Sequence, residues 1–270
     1  MIALPRVKPD VLRYLESHID FWRVREKDQD MRKTYTEVFD TRTLMALYKL
    51  FTRGVIDRLE FPISTGKESN VYRAYSRERG LVAVKIYRIS TLRYRTIEEY
   101  VQGDPRFEQL IGRVRHLVYL WTRKEFRNLS EFRAAGVPVP EPITFWRNVL
   151  VMGYLGTEER PAPLLLEVTE ADWDSLFLDI ANSMRRAYLH ARLVHSDLSE
   201  YNVVLHRGRC YFIDVAQAVS VEHPRSSEFL ARDVRNVVKF FSKKGLRVKA
   251  RNLYRYVRGE VGEDALREGS

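Results

Sequence analysis

Two short apolar runs, Leu193-Val194 and Val203-Val204-Leu205, enclose the polar stretch His195-Ser196-Asp197-Leu198-Ser199-Glu200-Tyr201-Asn202. Arg207-Gly208 then reads as a hairpin turn into Cys210-Tyr211-Phe212-Ile213, and Asp214 stands where that run ends. A fold that buries these short strands must hold the loop between them rigidly, and it thereby delivers Asp197, Asn202 and Asp214 to one point. Two carboxylates and an amide so placed suit a hard divalent cation, because such ions prefer oxygen ligands and share them with phosphates. They also suit phosphoryl transfer, in which charge on the transferring group must be neutralised while the acceptor oxygen is aligned. An Asp and an Asn at this spacing also serve simply to cap turns, so the rest of the chain decides between the readings.

The spacing His195-x-Asp197-x-x-x-x-Asn202 is that of kinase-like folds, in which the first Asp is the catalytic base and the Asn and the later Asp hold metal. Such a site needs a phosphate loop and a lysine. Residues 61–72 read as strand, small polar turn, strand, and Ser64, Thr65, Gly66, Lys67 and Ser69 concentrate hydroxyl and N–H groups in the turn. With a single Gly, this is neither the G-x-G-x-x-G loop nor a P-loop. The next strand, Leu81 to Tyr87, alternates so that Ala83 and Lys85 share one face while Val82, Val84 and Ile86 share the other. That resembles V-A-I-K, where the small residue leaves room for adenine and the lysine reaches the α- and β-phosphates. The competing reading is an edge-strand lysine pointing to solvent.

A lysine in that role needs a carboxylate partner. Leu117 to Leu129 has helical content, and Glu125 lies four residues from both Trp121 and Leu129, in the apolar stripe. A charge there is expensive unless paired, which selects Glu125 over Glu131; the latter reads as solvated. Val149 to Gly156 reads as a buried strand entering a turn. These residues alone fit an ordinary core strand with a Gly turn equally well; in a kinase-like chain, their order between Lys85 and Asp197 would put Met152 behind an adenine, with backbone groups of Gly153 and Leu155 available to it.

Ser64-Thr65-Gly66-Lys67-Glu68-Ser69-Asn70-Val71, His195 to Asn202 and Ile213-Asp214-Val215-Ala216-Gln217 together resemble the RIO family of atypical kinases. The loop form and Val221-Glu222-His223-Pro224, followed by Glu228 to Asn236, point to the RIO-one branch, over roughly residues 45–245. The resemblance implies an α+β, two-lobed protein-kinase-like fold, trimmed of the activation segment and peptide-binding helices, with a helical N-terminal extension. It implies an ATP-dependent serine kinase or ATPase using Mg2+ (or Mn2+), with Asp197 as base and Asn202 and Asp214 as metal ligands. Asp214 is then also able to accept the phosphoryl group as an aspartyl-phosphate. The nucleotide would lie against Ser64, Thr65, Gly66, Lys67, Ser69, Val71, Ala83, Lys85, Glu125, Met152, Gly153 and Leu155. The implied partners are small-ribosomal-subunit precursors and their rRNA, with autophosphorylation as a further reaction.

Composition agrees. A 45% hydrophobic, 30% charged chain of 270 residues can bury one large core or two lobes. No apolar run approaches the ~20 residues that span a bilayer, and the N-terminus lacks a signal-peptide plan, so no membrane and a cytoplasmic location are expected. The single Cys210 reads as core packing. The excess of 46 Lys and Arg over 36 Asp and Glu favours polyanionic partners. Residues 1–59 read as a helical segment packed on the rest, with a stripe of Leu44, Leu47, Tyr48, Phe51 and Val55 behind a cap near Asp40 or Thr41. Residues 60–152 read as the strand-rich lobe and 153–270 as the second lobe, with a long amphipathic helix through Trp173, Phe177 and Met184.

Two departures from ordinary protein kinases stand out. About 40 residues separate Lys85 from Glu125, and the interval at about 88–116 carries Arg88, Arg93, Arg95, Arg106, Arg113 and Arg115. It reads as a mobile basic loop for RNA or autophosphorylation, or equally as an ordered insertion with solvated charges. After Asp214 nothing resembles an activation segment, and Ser199 occupies the usual place of a catalytic-loop lysine. Peptide phosphorylation is thereby in question, while ATP chemistry is not. A small-molecule kinase of the aminoglycoside-phosphotransferase type and a catalytically silent RNA-binding scaffold are the alternatives.

Overall fold

The structure, a computed structural model, describes residues 7–20, 39–89, 100–107 and 117–267. The described residues divide into two compact units: 7–20, 39–89, 117–123 and 142–154 form the first, and 100–107, 124–141 and 155–267 the second. This division differs from the boundaries read in the sequence. The N-terminal helices share a core with the sheet, and residues 100–107 and 124–141 belong to the second unit.

In the first unit, α1 (Pro9–His18) and α2 (Thr41–Thr52) cover one face of a five-stranded antiparallel sheet. The Asp40 side chain accepts the Thr43 N–H at 2.7 Å, capping α2 where the sequence places it. The strands are β1 (Arg58–Thr65), β2 (Ser69–Ser76), β3 (Gly80–Tyr87), β4 (Pro142–Trp146) and β5 (Val149–Gly153), in the order β1-β2-β3-β5-β4. Tyr72, Ala74, Val82, Val84, Ile86, Val149 and Val151 point into the core with Leu15, Leu44 and Leu47 of the helices. Register then determines the other face: Val71 pairs with Lys85, and Ala83 pairs with Met152. β3 is a central strand, so the edge-strand reading of Lys85 fails.

Helix α3 (Leu117–Ala134) runs from the first unit, to which its residues up to Arg123 belong, into the second. The second unit continues with α4 (Trp173–Leu189), whose N-cap Asp172 accepts the Ser175 N–H. Then come β6 (Leu193–Val194), the hairpin of β7 (Val203–His206) and β8 (Arg209–Phe212), and β9 (Val219–Ser220), which pairs with β6. The hairpin turn is Arg207-Gly208, both left-handed at φ 50° and 74°, as a tight two-residue turn requires. Helices α5 (Ser226–Lys243), α6 (Ala250–Val257) and α7 (Asp264–Arg267) complete the unit. Cys210 is buried in β8, and burial pushes its thiol up to about 12, consistent with a packing role.

The insertion is partly described. Residues 100–107 belong to the second unit and are anchored there: Tyr100 packs 5.4 Å from Phe229, ring centre to ring centre, and His223 Nε2–H donates to Gln102 O at 3.0 Å. Gly103 lies against Pro224, where an added Cβ would come within 2.9 Å of the proline ring. For residues 100–107 this packing fits the reading of an ordered insertion and not that of a mobile loop. Arg93, Arg95, Arg113 and Arg115 lie outside the described residues. Among those described, no helix is long and apolar enough to cross a membrane.

Candidate active site

The loop between β6 and β7 is where the chemistry gathers. Asn202 donates its side-chain N–H to the Asp197 carbonyl at 2.8 Å and to Asp197 Oδ2 at 3.1 Å. Its amide nitrogen is thereby committed, and Oδ1 is the end that suits a cation. The Ile213 N–H donates to Asn202 O at 3.0 Å, which draws Asp214 beside Asn202. Asp214 adopts φ 56°, ψ 48°, the left-handed region, one residue before a 3-10 turn at Val215–Gln217. Aspartate tolerates that region better than most residues, but the conformation costs energy and persists only when its surroundings impose it. Ser196, immediately before Asp197, is also left-handed at φ 69°. His195 Nε2–H donates to Ile213 O at 3.1 Å, tying the start of the loop to the strand end before Asp214.

Two buried charges hold these conformations, and reading the motifs alone missed both. Asp233 on α5 is 1% exposed; it accepts the Ser196 N–H at 2.8 Å and the Leu198 N–H at 2.9 Å. Arg232 donates to Ser196 O, and Asn236 donates to Leu198 O at 3.0 Å. Three side chains of α5 thus clamp the backbone on both sides of Asp197. Burial pushes the Asp233 carboxyl up to about 7, against the pull of the two amides and Arg232.

Lys124 on α3 is fully buried and donates to Ala218 O and, at 2.8 Å, to Ala216 O. Asn128, one turn on, donates to Val215 O at 2.7 Å and Ala218 O at 3.2 Å. Burial, then the nearby Arg106, holds the Lys124 ammonium well below lysine's ordinary value. The signal that selects Glu125, a charge within an apolar helical stripe, would have found both. Lys124 follows Leu120 and Trp121 by four and three residues, and Asp233 follows Phe229 and Leu230 likewise.

Arg106 supports this layer. It pairs with the buried Asp104 at 2.7 Å and with Glu131, and also donates to Asn128 Oδ1 at 2.9 Å. Glu131 is therefore an ion-pair partner of Arg106 and Arg127 (2.7 Å), not a solvated position, because the 100–107 segment folds back over this end of α3. Arg106, expected among RNA-contacting residues, is spent inside the protein.

In the first unit, the sheet face opposite the helices carries the nucleotide candidates. Lys85, 3% exposed, lies beside Val71 in register, with Nζ 5.0 Å from the centre of the Tyr87 ring. Ala83 and Met152 are buried neighbours in register, as adenine packing would use them. Arg73, next to Ala83, pairs with the buried Glu60 and lies 4.3 Å from the centre of the Phe61 ring; the sequence reading did not include this pair. At the end of β1 and in the turn after it, Ser64, Thr65, Gly66 and Lys67 are exposed. The Gly66 N–H donates to Ser69 O at 2.9 Å, and a Cβ there would sit 3.1 Å from that oxygen, so the tight turn favours glycine. Gly153 ends β5 in register with Val82. In the second unit, Leu155 O accepts the Ala162 N–H at 3.0 Å. Glu125 is buried, at 1% exposure, in the part of α3 that belongs to the second unit.

Among the described residues no three His, Cys, Asp or Glu side chains cluster as a metal cage. One carboxylate and one amide oxygen fit Mg2+ nonetheless, because that ion keeps water and phosphate in most of its positions.

The RIO domain model matches residues 70–253. A RIO-type serine/threonine-protein kinase Rio1 of Haloferax volcanii is 44% identical over 254 residues, covering 94% of this chain and 87% of that protein. The human serine/threonine-protein kinase RIO1 is 41% identical over 90% of this chain, which spans only 43% of the human protein's length. Among solved structures, the Rio2 kinase–ADP/Mg2+–phosphoaspartate complex of Chaetomium thermophilum superposes with a TM-score of 0.61 at 24% identity, covering 83% of this chain and 67% of that one. The fold is thus the trimmed α+β kinase fold.

Proposed function

The chain belongs to the RIO family, RIO-one branch, and is a phosphotransferase of the serine/threonine-protein kinase type; from that premise we propose that it couples ATP and Mg2+ (or Mn2+) to maturation of the small ribosomal subunit. The observation that carries the reading is the loop in which Asn202 is bonded to Asp197 while Asp214 is held left-handed beside it. Asn202 Oδ1 and Asp214 are the metal ligands. Asp197 is the base, its Oδ2 oriented by the Asn202 amide. A bound Mg2+ would neutralise charge on the phosphates. Lys85 and the turn Ser64–Ser69 would bind and orient those phosphates, while Ala83 and Met152 pack on the base. The packed shell of Leu198, Val203 and Phe212 keeps bulk water from the loop's other side.

Asp214 gives the site a second output. Attack of its carboxylate oxygen on the γ-phosphorus would break the bond to the ADP oxygen and leave an acyl phosphate on the protein, which water or a hydroxyl then takes up. The Rio2 complex with phosphoaspartate supports this by analogy. With no activation segment to hold a peptide, we read the chain as a nucleotide-dependent switch on RNA-bearing particles in the cytoplasm, with autophosphorylation as a side reaction. The RIO domain match speaks for this over a small-molecule kinase, and the presence of Lys85, Asp197, Asn202 and Asp214 speaks against a silent scaffold.

The test is γ-labelled ATP with and without small-subunit precursor particles. Expected are slow ATP hydrolysis that the particles change, and hydroxylamine-labile label lost in Asp214→Asn. Hydroxylamine-stable label on a free protein substrate, with hydrolysis indifferent to the particles, would overturn the reading in favour of an ordinary protein kinase.

A further inference from the structure

The positive charge of this chain is not spread evenly. The whole sequence carries a formal +10. Residues 225–258, which contain α5, α6 and their connection, hold eleven Lys and Arg against two acidic residues, Glu228 and Asp233, and so account for nine of those charges. The two acids do little to offset them at the surface, since Asp233 is buried against the catalytic loop and Glu228 is paired with Arg225 at 2.8 Å.

Arg235, Lys239 and Lys243 recur every four residues along α5 and are exposed. The opposite face of the helix, with Phe229, Leu230, Val234, Val237, Phe240 and Phe241, is buried. At a rise of 1.5 Å per residue, three guanidinium or ammonium groups stand in a row about 6 Å apart. Arg247, Lys249 and Arg251 continue the exposed charge beyond the helix end. None of these six has a carboxylate within ion-pair distance among the described residues. Elsewhere the chain pairs its cations readily, as Arg58, Arg73, Arg77 and Arg106 show. Like charges four residues apart on a helix destabilise it by about 0.2–0.5 kcal/mol per pair, so the unpaired row is not there for the helix's own stability.

We propose that this row on α5, extended by residues 247–251, is a docking surface for the phosphodiester backbone of RNA, read without base specificity. Regular cations at this spacing meet successive phosphates and release their counterions. A membrane surface fits less well. The exposed large hydrophobic residues of the described chain are Met45, Phe61, Tyr75, Trp146, Leu166 and Tyr201, none within residues 225–258, whereas an interfacial helix inserts an apolar face. The lack of an exposed aromatic on the row also argues against base stacking and for phosphate contact. The choice of a phosphate backbone rests on the charge alone. The choice of RNA rests on the RNA-bearing partner proposed above.

The test uses the full chain without nucleotide, so that its failure is separate from any failure of phosphoryl transfer. Binding of a labelled mixed-sequence RNA is followed against salt for wild type, for Arg235→Gln/Lys239→Gln/Lys243→Gln, and for the equally discharged Lys8→Gln/Lys49→Gln/Arg53→Gln in the first unit. The α5 variant should bind more weakly and lower the slope of log affinity on log salt by about 2, for three phosphate contacts on a single strand, while the control follows wild type. If the triple variant melts early, the three single variants, each lowering the slope by about 0.7, carry the same test. Equal loss in both triple variants would mean diffuse attraction and overturn the proposal. So would no loss in either, or wild-type binding to phosphatidylserine vesicles or polyglutamate in preference to RNA.

Discussion

Lys124 Nζ donates to the backbone carbonyl of Ala216 at 2.8 Å, two residues beyond Asp214. A fully buried lysine thereby holds the turn that forces the proposed metal ligand into the left-handed region, and Asn128 holds the carbonyls on either side. In ordinary kinases an activation segment follows this point. Here α3 supplies the restraint from within the second unit.

Lys124→Met should therefore act on Asp214 without touching the nucleotide. Removing the ammonium also removes its desolvation cost, so stability should change by less than about 2 kcal/mol, the scale of a lost buried hydrogen bond. Misplacing Asp214 by about 1 Å should lower turnover about 10²-fold and raise the Mg2+ concentration needed for half activity. Turnover against Mg2+ for the variant measures this; an unchanged metal requirement would dissociate Lys124 from the site.

The Asp233 carboxyl, pushed up to about 7, should appear in the pH profile. Protonation turns one of its oxygens into a hydroxyl that no longer accepts an amide as before, so the clamp on Ser196 and Leu198 loosens and turnover should fall as pH drops through about 7. For stability the sign is opposite. The folded value lies above the unfolded one of about 3.9, so this group's contribution is complete below about pH 4 and is lost as pH rises through about 7. Asp233→Asn should lower the plateau, abolish the acid limb near 7 and remove that part of the pH dependence of melting. An acid limb that persists in the variant belongs to another group.

Asp197→Asn should lower kcat by about 10²–10⁴ with little change in ATP affinity, as expected for a residue acting in the transition state. Lys85→Ala should weaken phosphate alignment, and Glu125→Ala should copy it in part. Glu131→Ala should instead cost stability, since that carboxylate is committed to Arg106 and Arg127. Single-turnover kinetics and ATP binding on the four variants separate the roles; if Glu131→Ala mimics Lys85→Ala, the assignment of Glu125 fails.

Arg106→Ala should be strongly destabilising, by about 3–5 kcal/mol, because it leaves the buried Asp104 carboxylate unpaired. Burial opposes that charge, but the Arg106 guanidinium more than compensates and holds the carboxyl below its ordinary value. Adding Asp104→Ala should recover part of the loss. Urea melts of the two single variants and the double variant test the coupling, and strictly additive losses would show that the pair is not the source.

Local pattern alone determined much of this protein. The Asp197–Asn202–Asp214 spacing, the caps at Asp40 and Asp172, the Arg207-Gly208 turn and the shared face of Ala83 and Lys85 are short-range features, set by strand alternation, helix periodicity and turn chemistry within a few residues. The division into units, the packing of residues 100–107, the pairing of Glu131 and the roles of Lys124 and Asp233 depend on residues about 25 to 120 positions apart meeting in space. A buried charge is legible in sequence as an anomaly in an apolar stripe. What it holds is decided by which backbone groups the tertiary fold brings to it, because burying a charge is tolerable only where such partners exist.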